Sequence, residues 1–305
     1  MIETTLGASD LRVSRVGLGC NNFGRRLDLA ATRAVVDAAL AAGISFLDTA
    51  NIYGSGESER FLGEALAGRR EQVVLATKFG MEMPDDDRKT PRGSRAYVRR
   101  AADASLARLD TDYIDLYYYH RPDGVTPLDE TIGAMNELVA EGKVRWLGIS
   151  NVDAGLITQA HGLGDGRVVA VQNHYSLMQR ADDAEVLPLC RELGIGFIPY
   201  FPLESGLLTG KYRRDAPAPV GTRLAGTDDG RLSDERLRKV EALEALAAAQ
   251  GHTLLELASG GLASIPGVAS VIAGATRPDQ IVANAAAGTW QLTPTELDAL
   301  TALLG

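Results

Sequence analysis

Two apolar periodicities alternate along most of this 305-residue chain. Short apolar and β-branched runs, typical of buried strands, are each followed by a stretch with the 3.6-residue spacing of an amphipathic helix. The strand-like runs are 16–20, 45–49, 73–78, 113–120, 144–150, 168–174, 196–202 and 269–275. The helix-like stretches are 27–42, 58–67, 94–109, 127–141, 153–162, 182–193, 233–250 and 278–287.

This alternation indicates the fold class. Strands that alternate strictly with helices form a parallel sheet, and eight such units close most naturally into a barrel. We therefore predict an α/β fold, a (β/α)8 TIM barrel, with an open nine-strand sheet as the weaker alternative. With no interdomain linker along the chain, we expect a single domain over 1–305.

Both ends of the chain add elements to the plain repeat. Alternating runs at 3–6 and 11–16 flank a Gly/Ser/Asp turn, which predicts an N-terminal β-hairpin. At the other end, Thr293 precedes Pro294 in a typical helix start, which predicts a C-terminal extra helix ending near Leu304.

Between the seventh strand and the next long helix lies a segment, 204–232, that is rich in Gly, Pro, Arg and Asp. Connections of this length inside a domain are usually functional, so we expect a lid or binding loop.

Composition narrows the partners and the compartment. The net charge of −9 argues against nucleic acid or an anionic membrane as partner, while a small anionic cofactor needs only a local basic cluster. Two distant cysteines, Cys20 and Cys190, suggest a reducing compartment. No secretory signal or membrane-spanning run is evident, so we expect a soluble cytoplasmic protein. The oligomeric state is left open.

Ionisable groups follow the ends of three successive predicted strands. Asp48 and Tyr53 follow the second strand, Lys78 ends the third and His120 ends the fourth. Each alone has an ordinary structural explanation, such as a solvated strand end or a core histidine. Because parallel strands end at one rim, where ligands bind in such folds, the four together predict an active site.

These four groups suit proton donation to a carbonyl oxygen. A free phenol, with a pKa near 10, is a poor acid at neutral pH, but a nearby ammonium such as Lys78 lowers that pKa. A carboxylate keeps the lysine charged, and a histidine can hydrogen-bond the same oxygen. Nothing here attacks carbon, so a separate hydride donor is required.

The later strands carry groups that suit a nucleotide cofactor. Asn151, Gln172 and Asn173 carry amides that can bind a carboxamide, and the ring of Tyr200 can stack on a flat ring.

Phosphate groups have two candidate sites further along the chain. Small residues from Gly206 to Lys211 suit a pyrophosphate, whereas Arg213 and Arg214 are open between a cofactor contact and a solvated charge. At the start of the helix after strand eight, Arg277 favours a phosphate monoester such as a 2′-phosphate.

Together these motifs resemble those of the aldo-keto reductase superfamily, and the resemblance covers essentially the whole chain. The matching motifs are Gly17-Leu-Gly19, Asp48-Thr-Ala-x-x-Tyr53-Gly, Ala76-Thr-Lys78, Asp112-Tyr-Ile-Asp-Leu-x-x-x-His120-Arg-Pro-Asp, Gly148-Ile-Ser-Asn151, Gln172-Asn-x-Tyr175, Tyr200-x-Pro-Leu203-x-x-Gly206-x-Leu-Thr-Gly-Lys211 and Gly274-Ala-Thr-Arg-Pro-x-Gln280-x-x-x-Asn284.

The resemblance implies NADPH-dependent reduction of a small aldehyde or ketone. It implies that Tyr53 is the proton donor, supported by Asp48, Lys78 and His120, and that Gln280 and Asn284 contact the adenosine end. The implied cofactor-binding residues are Gly19, Cys20, Asn21, Asp48, Ser150, Asn151, Gln172, Tyr200, Phe201, Pro202, Leu203, Ser205, Gly206, Leu208, Gly210, Lys211, Gly274, Ala275, Thr276, Arg277, Gln280 and Asn284.

The sequence departs from the family pattern at two informative places. Phe201 stands where many relatives have Ser, although Tyr200 keeps the stacking ring. Gly260 and Gly261 lie in a helical stretch where relatives usually carry bulky apolar residues. Each glycine is expected to weaken that helix by about 1 kcal/mol relative to Ala.

Other chemistries have less support. The motif at Gly17 lacks the third glycine of a Rossmann fingerprint, and the one at Gly206 is one residue short of a Walker A loop. The four histidines show no metal-ligand spacing, so no metal site is predicted.

Two rival functions share this scaffold. One is a cofactor-binding regulatory subunit resembling potassium-channel β subunits; because the chain starts at the hairpin, we favour a free-standing enzyme. The other is a sugar dehydrogenase or nucleotide-sugar reductase. Reduction of a double bond would lead us to expect Glu in place of His120, so carbonyl chemistry is favoured.

Overall fold

A β-hairpin precedes an alternation of strands and helices in the computed structural model, which describes residues 1–84, 86–87, 89–227 and 229–304. The strands are β1 Glu3–Thr5, β2 Arg12–Ser14, β3 Val16–Gly19, β4 Phe46–Asp48, β5 Val74–Phe79, β6 Ile114–Tyr119, β7 Val144–Ser150, β8 Val168–His174, β9 Gly196–Tyr200 and β10 Val271–Gly274. The helices are α1 Leu29–Ala41, α2 Glu57–Ala65, α3 Arg95–Leu109, α4 Leu128–Ala140, α5 Ala154–Leu163, α6 Val186–Glu192, α7 Asp234–Ala249, α8 Leu254–Glu256, α9 Pro278–Ala287 and α10 Pro294–Leu304.

Strands β3 to β10 form one parallel sheet in the order β10-β3-β4-β5-β6-β7-β8-β9. The two ends of the sheet meet through Phe197, whose N–H donates to Gly267 O (3.0 Å) and whose carbonyl accepts from Ala269 N (2.8 Å). The sheet is therefore a closed barrel with helices outside, which confirms the predicted (β/α)8 TIM barrel and excludes the open sheet.

The N-terminal hairpin covers the end of the barrel opposite the strand C-termini. β1 and β2 pair antiparallel, and the Thr4 hydroxyl donates to Ala269 O (2.6 Å). Leu6, Leu11 and Val13 are buried in the apolar cluster that fills the barrel interior. The predicted hairpin is confirmed, and it leaves the opposite rim open.

Side-chain caps determine where several helices begin. Asp28, Ser94, Asp153 and Ser233 each accept a hydrogen bond from a backbone N–H three residues further on. These starts fall within two residues of the predicted ones. No helix in the described part of the chain has the length and apolarity needed to cross a bilayer.

One predicted helix, 182–193, begins later than expected. α6 starts at Val186, preceded by a separate 3-10 turn, Ala181–Asp183. In that turn the Asp182 carboxylate accepts from Asn173 (3.0 Å) and the Asp183 carboxylate from Tyr175 Oη (2.6 Å). These side-chain bonds hold the turn against β8, which competes with helix formation.

Gly260 and Gly261 lie in a π-helical turn, Leu257–Gly261, that continues α8. A Cβ on Gly260 would lie 2.5 Å from Trp290 O and 2.6 Å from Ala287 O, so only glycine allows this close packing. A Cβ on Gly261 would come within 2.8 Å of the flexible Leu257 side chain and lie at an ordinary 3.7 Å from Leu292. The helical backbone thus persists, and Gly260 serves a packing requirement that propensity alone does not reveal.

We predict that Gly260→Ala lowers the free energy of unfolding by about 1–3 kcal/mol, because backbone oxygens cannot move away from the added methyl group. Gly133→Ala in α4 is the matched control, since a Cβ there has no neighbour within 4 Å. The free energy of unfolding of the control variant should rise by up to about 1 kcal/mol, because Ala has a higher helix propensity than Gly. Urea unfolding measures both, and equal effects would contradict the packing explanation.

Candidate active site

The four predicted ionisable groups lie together at the open rim of the barrel. Lys78 and Asp48 are fully buried; Lys78 Nζ donates to the Asp48 carboxylate and to Thr49 O (2.7 Å). Lys78 Nζ is also 5.2 Å from the centroid of the Tyr53 ring. The rings of Tyr53 and His120 meet edge to face, with centroids 6.0 Å apart.

The buried ion pair keeps its charges. Burial by itself lowers the pKa of Lys78, but the charge of Asp48, with further contributions from Tyr53, outweighs it and the pKa of Lys78 rises. The second oxygen of Asp48 accepts from Gln172 Nε2 (2.8 Å), so both carboxylate oxygens are hydrogen-bonded. A charged ammonium therefore remains beneath the Tyr53 ring.

Tyr53 is a weaker acid than the sequence alone suggested. Burial raises the pKa of its phenol, Lys78 opposes this and Asp48 adds to it, and the net shift is upward. Lys78 thus lowers the pKa as predicted, but burial outweighs it because desolvation disfavours the phenolate. Tyr53 consequently holds its proton at neutral pH.

His120 is a neutral imidazole at neutral pH. Burial, together with the positive charges of Lys78 and Arg121, lowers its pKa to about 3. Its Nδ1 is buried and has no hydrogen-bond partner among the described residues. A neutral imidazole retains one N–H donor, which suits it to hydrogen-bond a ligand oxygen.

The turn that presents Tyr53 has a conformation that favours glycine. Gly54, Ser55 and Gly56 have φ values of 58°, 57° and 94°. A Cβ on Gly54 would come within 2.9 Å of Phe23 O, because the loop after β3 packs directly on this turn.

Two buried side chains in the first turn of α2, Ser58 and Glu59, connect the Tyr53 turn to the barrel. Ser58 Oγ donates to Cys20 O (3.0 Å) and lies 2.8 Å from Thr49 Oγ1. The Glu59 carboxylate accepts from Thr77 Oγ1 (2.5 Å), the residue before Lys78.

Arg108 of α3 completes this arrangement. Its Nε donates to Glu59 (2.7 Å), and its side chain lies against Gly56, where an added Cβ would be 3.0 Å from Arg108 Cδ. We call Glu59, Thr77 and Arg108 the α2 brace. Sequence reasoning missed it, although helical spacing places Glu59, three residues before Leu62, on the apolar face of α2, which was a usable signal.

A cleft of about 760 Å³ opens at this rim, within the size range of small-molecule sites. The predicted site residues that line it are Gly19, Cys20, Asn21, Asp48, Tyr53, His120, Asn151, Gln172, Tyr200, Phe201, Pro202, Leu203, Ser205, Gly206, Lys211, Gly274, Ala275, Thr276, Arg277, Gln280 and Asn284. The predicted residues Lys78, Ser150, Leu208 and Gly210 do not line it. Lys78 instead lies behind the cleft wall, bonded to Asp48.

One wall of the cleft is an ordered set of rings and amides. Tyr200 Oη donates to Asn151 Oδ1 (2.7 Å), and Asn151 Nδ2 donates to His120 O (2.9 Å). The Tyr200 ring is stacked against His174, with centroids 5.4 Å apart. Phe201 has a φ of 55°, a strained conformation for a bulky residue, and its side chain is 41% exposed at the cleft mouth.

The basic residues of the predicted phosphate region differ in position. Lys211 and Arg277 line the cleft, and the exposed Arg277 pairs with Asp279 (3.0 Å). Arg213 and Arg214 are absent from the cleft lining and pair with carboxylates of α7. For those two arginines the structure therefore favours a solvated surface charge over a cofactor contact.

Several lining residues come from loops whose course the sequence did not predict: Asn22, Arg26, Ile52, Met81, Arg121, Thr209, Thr222 and Arg223. Among the described residues, no group of three or more His, Cys, Asp or Glu side chains could hold a metal ion.

Comparisons with known proteins agree with this architecture. Residues 15–304 match the Aldo/keto reductase family. Probable voltage-gated potassium channel β subunits from rice (Oryza sativa subsp. japonica) and Arabidopsis thaliana are 38% and 37% identical, each over 92% of this chain and 88% of the relative. Probable aldo-keto reductase 1 from Glycine max is 40% identical over 68% of this chain and 60% of its own.

A solved structure is similar over nearly the full length. Aldo-keto reductase AKR11C1 from Bacillus halodurans, in its holo form, superposes with a TM-score of 0.84 at 34% identity. The similarity covers 99% of this chain and 96% of that one.

The lowered pKa of His120 predicts a pH dependence of stability. An unfolded histidine titrates near pH 6.5, whereas folded His120 resists protonation until about pH 3. Between these values the unfolded state binds more protons, so stability should fall as the pH falls through this window. In urea unfolding at several pH values, His120→Gln should reduce the difference in bound protons between the unfolded and folded states by up to one. His161→Gln on α5 is the control, and an unchanged slope in His120→Gln would contradict the assignment.

Proposed function

The chain belongs to the aldo/keto reductase family, and from this premise we propose that it is an NADPH-dependent oxidoreductase that reduces aldehyde or ketone carbonyls to alcohols. The observation that carries the proposal is the buried Lys78–Asp48 pair beneath Tyr53, with a neutral His120 beside it. No simpler structural role requires these four groups at one rim.

In this proposal Tyr53 donates its proton to the carbonyl oxygen. The phenol is protonated in the resting site, and the ammonium of Lys78 stabilises the phenolate that forms as the proton leaves. Asp48 holds that ammonium in place, and the N–H of His120 orients the carbonyl oxygen.

The cleft suits the nucleotide that this chemistry needs. A bound NADPH supplies the hydride that reduces the carbonyl carbon. The Tyr200 ring can stack on a nicotinamide, Lys211 and Arg277 can pair with phosphates, and Gly206 leaves space beside the Lys211 ammonium, which a Cβ would approach to 2.6 Å. The solved neighbour from Bacillus halodurans is a holo form, which supports cofactor binding here.

Two relatives carry a different name, potassium channel β subunit. A cofactor-binding regulatory subunit is therefore the second candidate, and a sugar dehydrogenase or nucleotide-sugar reductase remains a variant of the first. Buried free thiols at Cys20 and Cys190 support a cytoplasmic location for either.

We predict that Tyr53→Phe lowers turnover by at least about 10²-fold while cofactor affinity changes little, because the variant lacks only the phenolic hydroxyl group that donates the proton. NADPH oxidation across a panel of aldehydes, ketones and sugars measures turnover, and fluorescence titration measures cofactor binding. Near-normal turnover in the variant would exclude Tyr53 as the acid. Wild-type protein that binds NADPH but reduces nothing on the panel would favour the regulatory subunit.

We predict that Arg277→Ala weakens NADPH binding by about tenfold and NADH binding hardly at all, since only NADPH carries a 2′-phosphate. The Asp279 pair that Arg277 would give up is exposed to solvent, and exposed ion pairs contribute little. Arg213→Ala, which removes a paired arginine outside the cleft, is the control. Equal losses for the two cofactors in Arg277→Ala would show that this arginine does not bind the 2′-phosphate.

A further inference from the structure

The cleft is strongly cationic although the chain as a whole has a net charge of −9. Its lining includes Arg26, Arg121, Lys211, Arg223 and Arg277. The lining carboxylate, Asp48, is already neutralised by the buried Lys78. A cleft of one sign attracts ligands of the opposite sign and raises their local concentration.

The cofactor proposed above accounts for only part of this charge. Lys211 and Arg277 lie in the segments after β9 and β10 that we assign to its phosphates. Arg121 lies on another part of the rim, because it directly follows His120 at the end of β6. A positive charge beside the reacting carbonyl is therefore left to explain.

Arg121 has a free guanidinium beside the proposed acid site. Within the described ranges it makes no ion pair and no side-chain hydrogen bond, and it is exposed to the cleft. Burial lowers the pKa of His120 and the charge of Arg121 adds to this, whereas burial raises the pKa of Tyr200 and the charge of Arg121 opposes it, so Arg121 lies near both rings.

In strand order around the barrel, Arg26 comes before Tyr53, whereas Arg121 comes after it. It belongs to the loop after β3, which packs on the Tyr53 turn through Gly24 and Gly54. In the part of the chain that the structure describes, its side chain has no ion-pair partner and lines the cleft.

Arg223 of the long loop also lines the cleft, near enough to Arg26 for the two positive charges to interact. Its guanidinium lies 5.6 Å from the centroid of the Phe201 ring, and burial, with the nearby charges of Arg26, Arg231 and Arg25, lowers its pKa. Cations that repel one another in this way are stabilised when an anion binds among them.

We propose that the substrate of this protein is an anionic carbonyl compound, whose carboxylate or phosphate group is bound by Arg121 and Arg26 while Tyr53 protonates the carbonyl oxygen. This inference rests on the proposed function and adds the substrate class to it. Guanidinium groups suit either anion because their paired N–H donors match its oxygens.

Matched substrates test the proposal in the full-length protein with NADPH. 4-Carboxybenzaldehyde is compared with its methyl ester, and glyceraldehyde 3-phosphate with glyceraldehyde, so that the two pairs distinguish a carboxylate from a phosphate. The wild type should prefer one charged member by at least about tenfold in kcat/KM. Arg121→Gln and Arg26→Gln should each reduce that preference, mainly by raising KM for the charged member, and added salt should weaken it.

Arg25→Gln is the matched control, because Arg25 is an exposed neighbour of Arg26 that does not line the cleft. It should keep the preference. A wild type without preference for a charged substrate, or a preference that survives both substitutions, would overturn the proposal while leaving carbonyl reduction intact. If Arg26→Gln weakens the binding of NADPH and NADH alike and leaves the substrate preference unchanged, Arg26 binds the cofactor. That result would overturn the role of Arg26 in the proposal.

A binding measurement keeps this test independent of turnover. Calorimetric titration of the NADPH-loaded protein with 4-(hydroxymethyl)benzoate and with its methyl ester measures recognition of the anion in a complex that has no hydride acceptor, so no reaction occurs. Tighter binding of the benzoate that is lost in Arg121→Gln supports the anion site even if no aldehyde is reduced. The proposal is refuted if the two alcohols bind equally and glyceraldehyde 3-phosphate is not preferred over glyceraldehyde.

Discussion

A buried ammonium requires a carboxylate beside it, and this requirement organises the open rim of the barrel. Lys78 and Asp48 each lose hydration on folding, a cost of several kcal/mol per ion that only close pairing and further hydrogen bonds recover. Thr49 O and Gln172 supply those bonds from neighbouring parts of the barrel. The pair is therefore stable only in a closed sheet with its strands in register, and the acidity of Tyr53 depends on that pair.

Much of the fold was predictable because it depends on periodicity and on one geometric rule. Alternating strand and helix periods predicted the barrel, and the common direction of parallel strands placed Asp48, Lys78 and His120 at one rim. The turn glycines and the Thr/Pro start of α10 were equally local signals. Each of these features is encoded within a few residues of where it occurs.

What the sequence did not reveal depends on distant contacts. The upward pKa shift of Tyr53 arises from burial by several elements, and the need for glycine at 260 arises from Trp290. Arg26 and Arg223 line one cleft only because two distant loops fold over it. Conversely, Arg213 lies near Lys211 in sequence yet pairs with Glu244 on α7. Spacing along the chain cannot decide such cases, because loop geometry determines them.

The α2 brace connects the reaction centre to the outer layer of the molecule. Glu59 joins the helix that follows the Tyr53 turn to the strand of Lys78, and Arg108 joins both to α3. The acid and its ammonium therefore share one set of supports with the packing of α2 and α3. Because these supports are common, heat or denaturant should not loosen the active site ahead of the outer helices. Catalytic competence and the integrity of that helical layer should be lost as one cooperative unit.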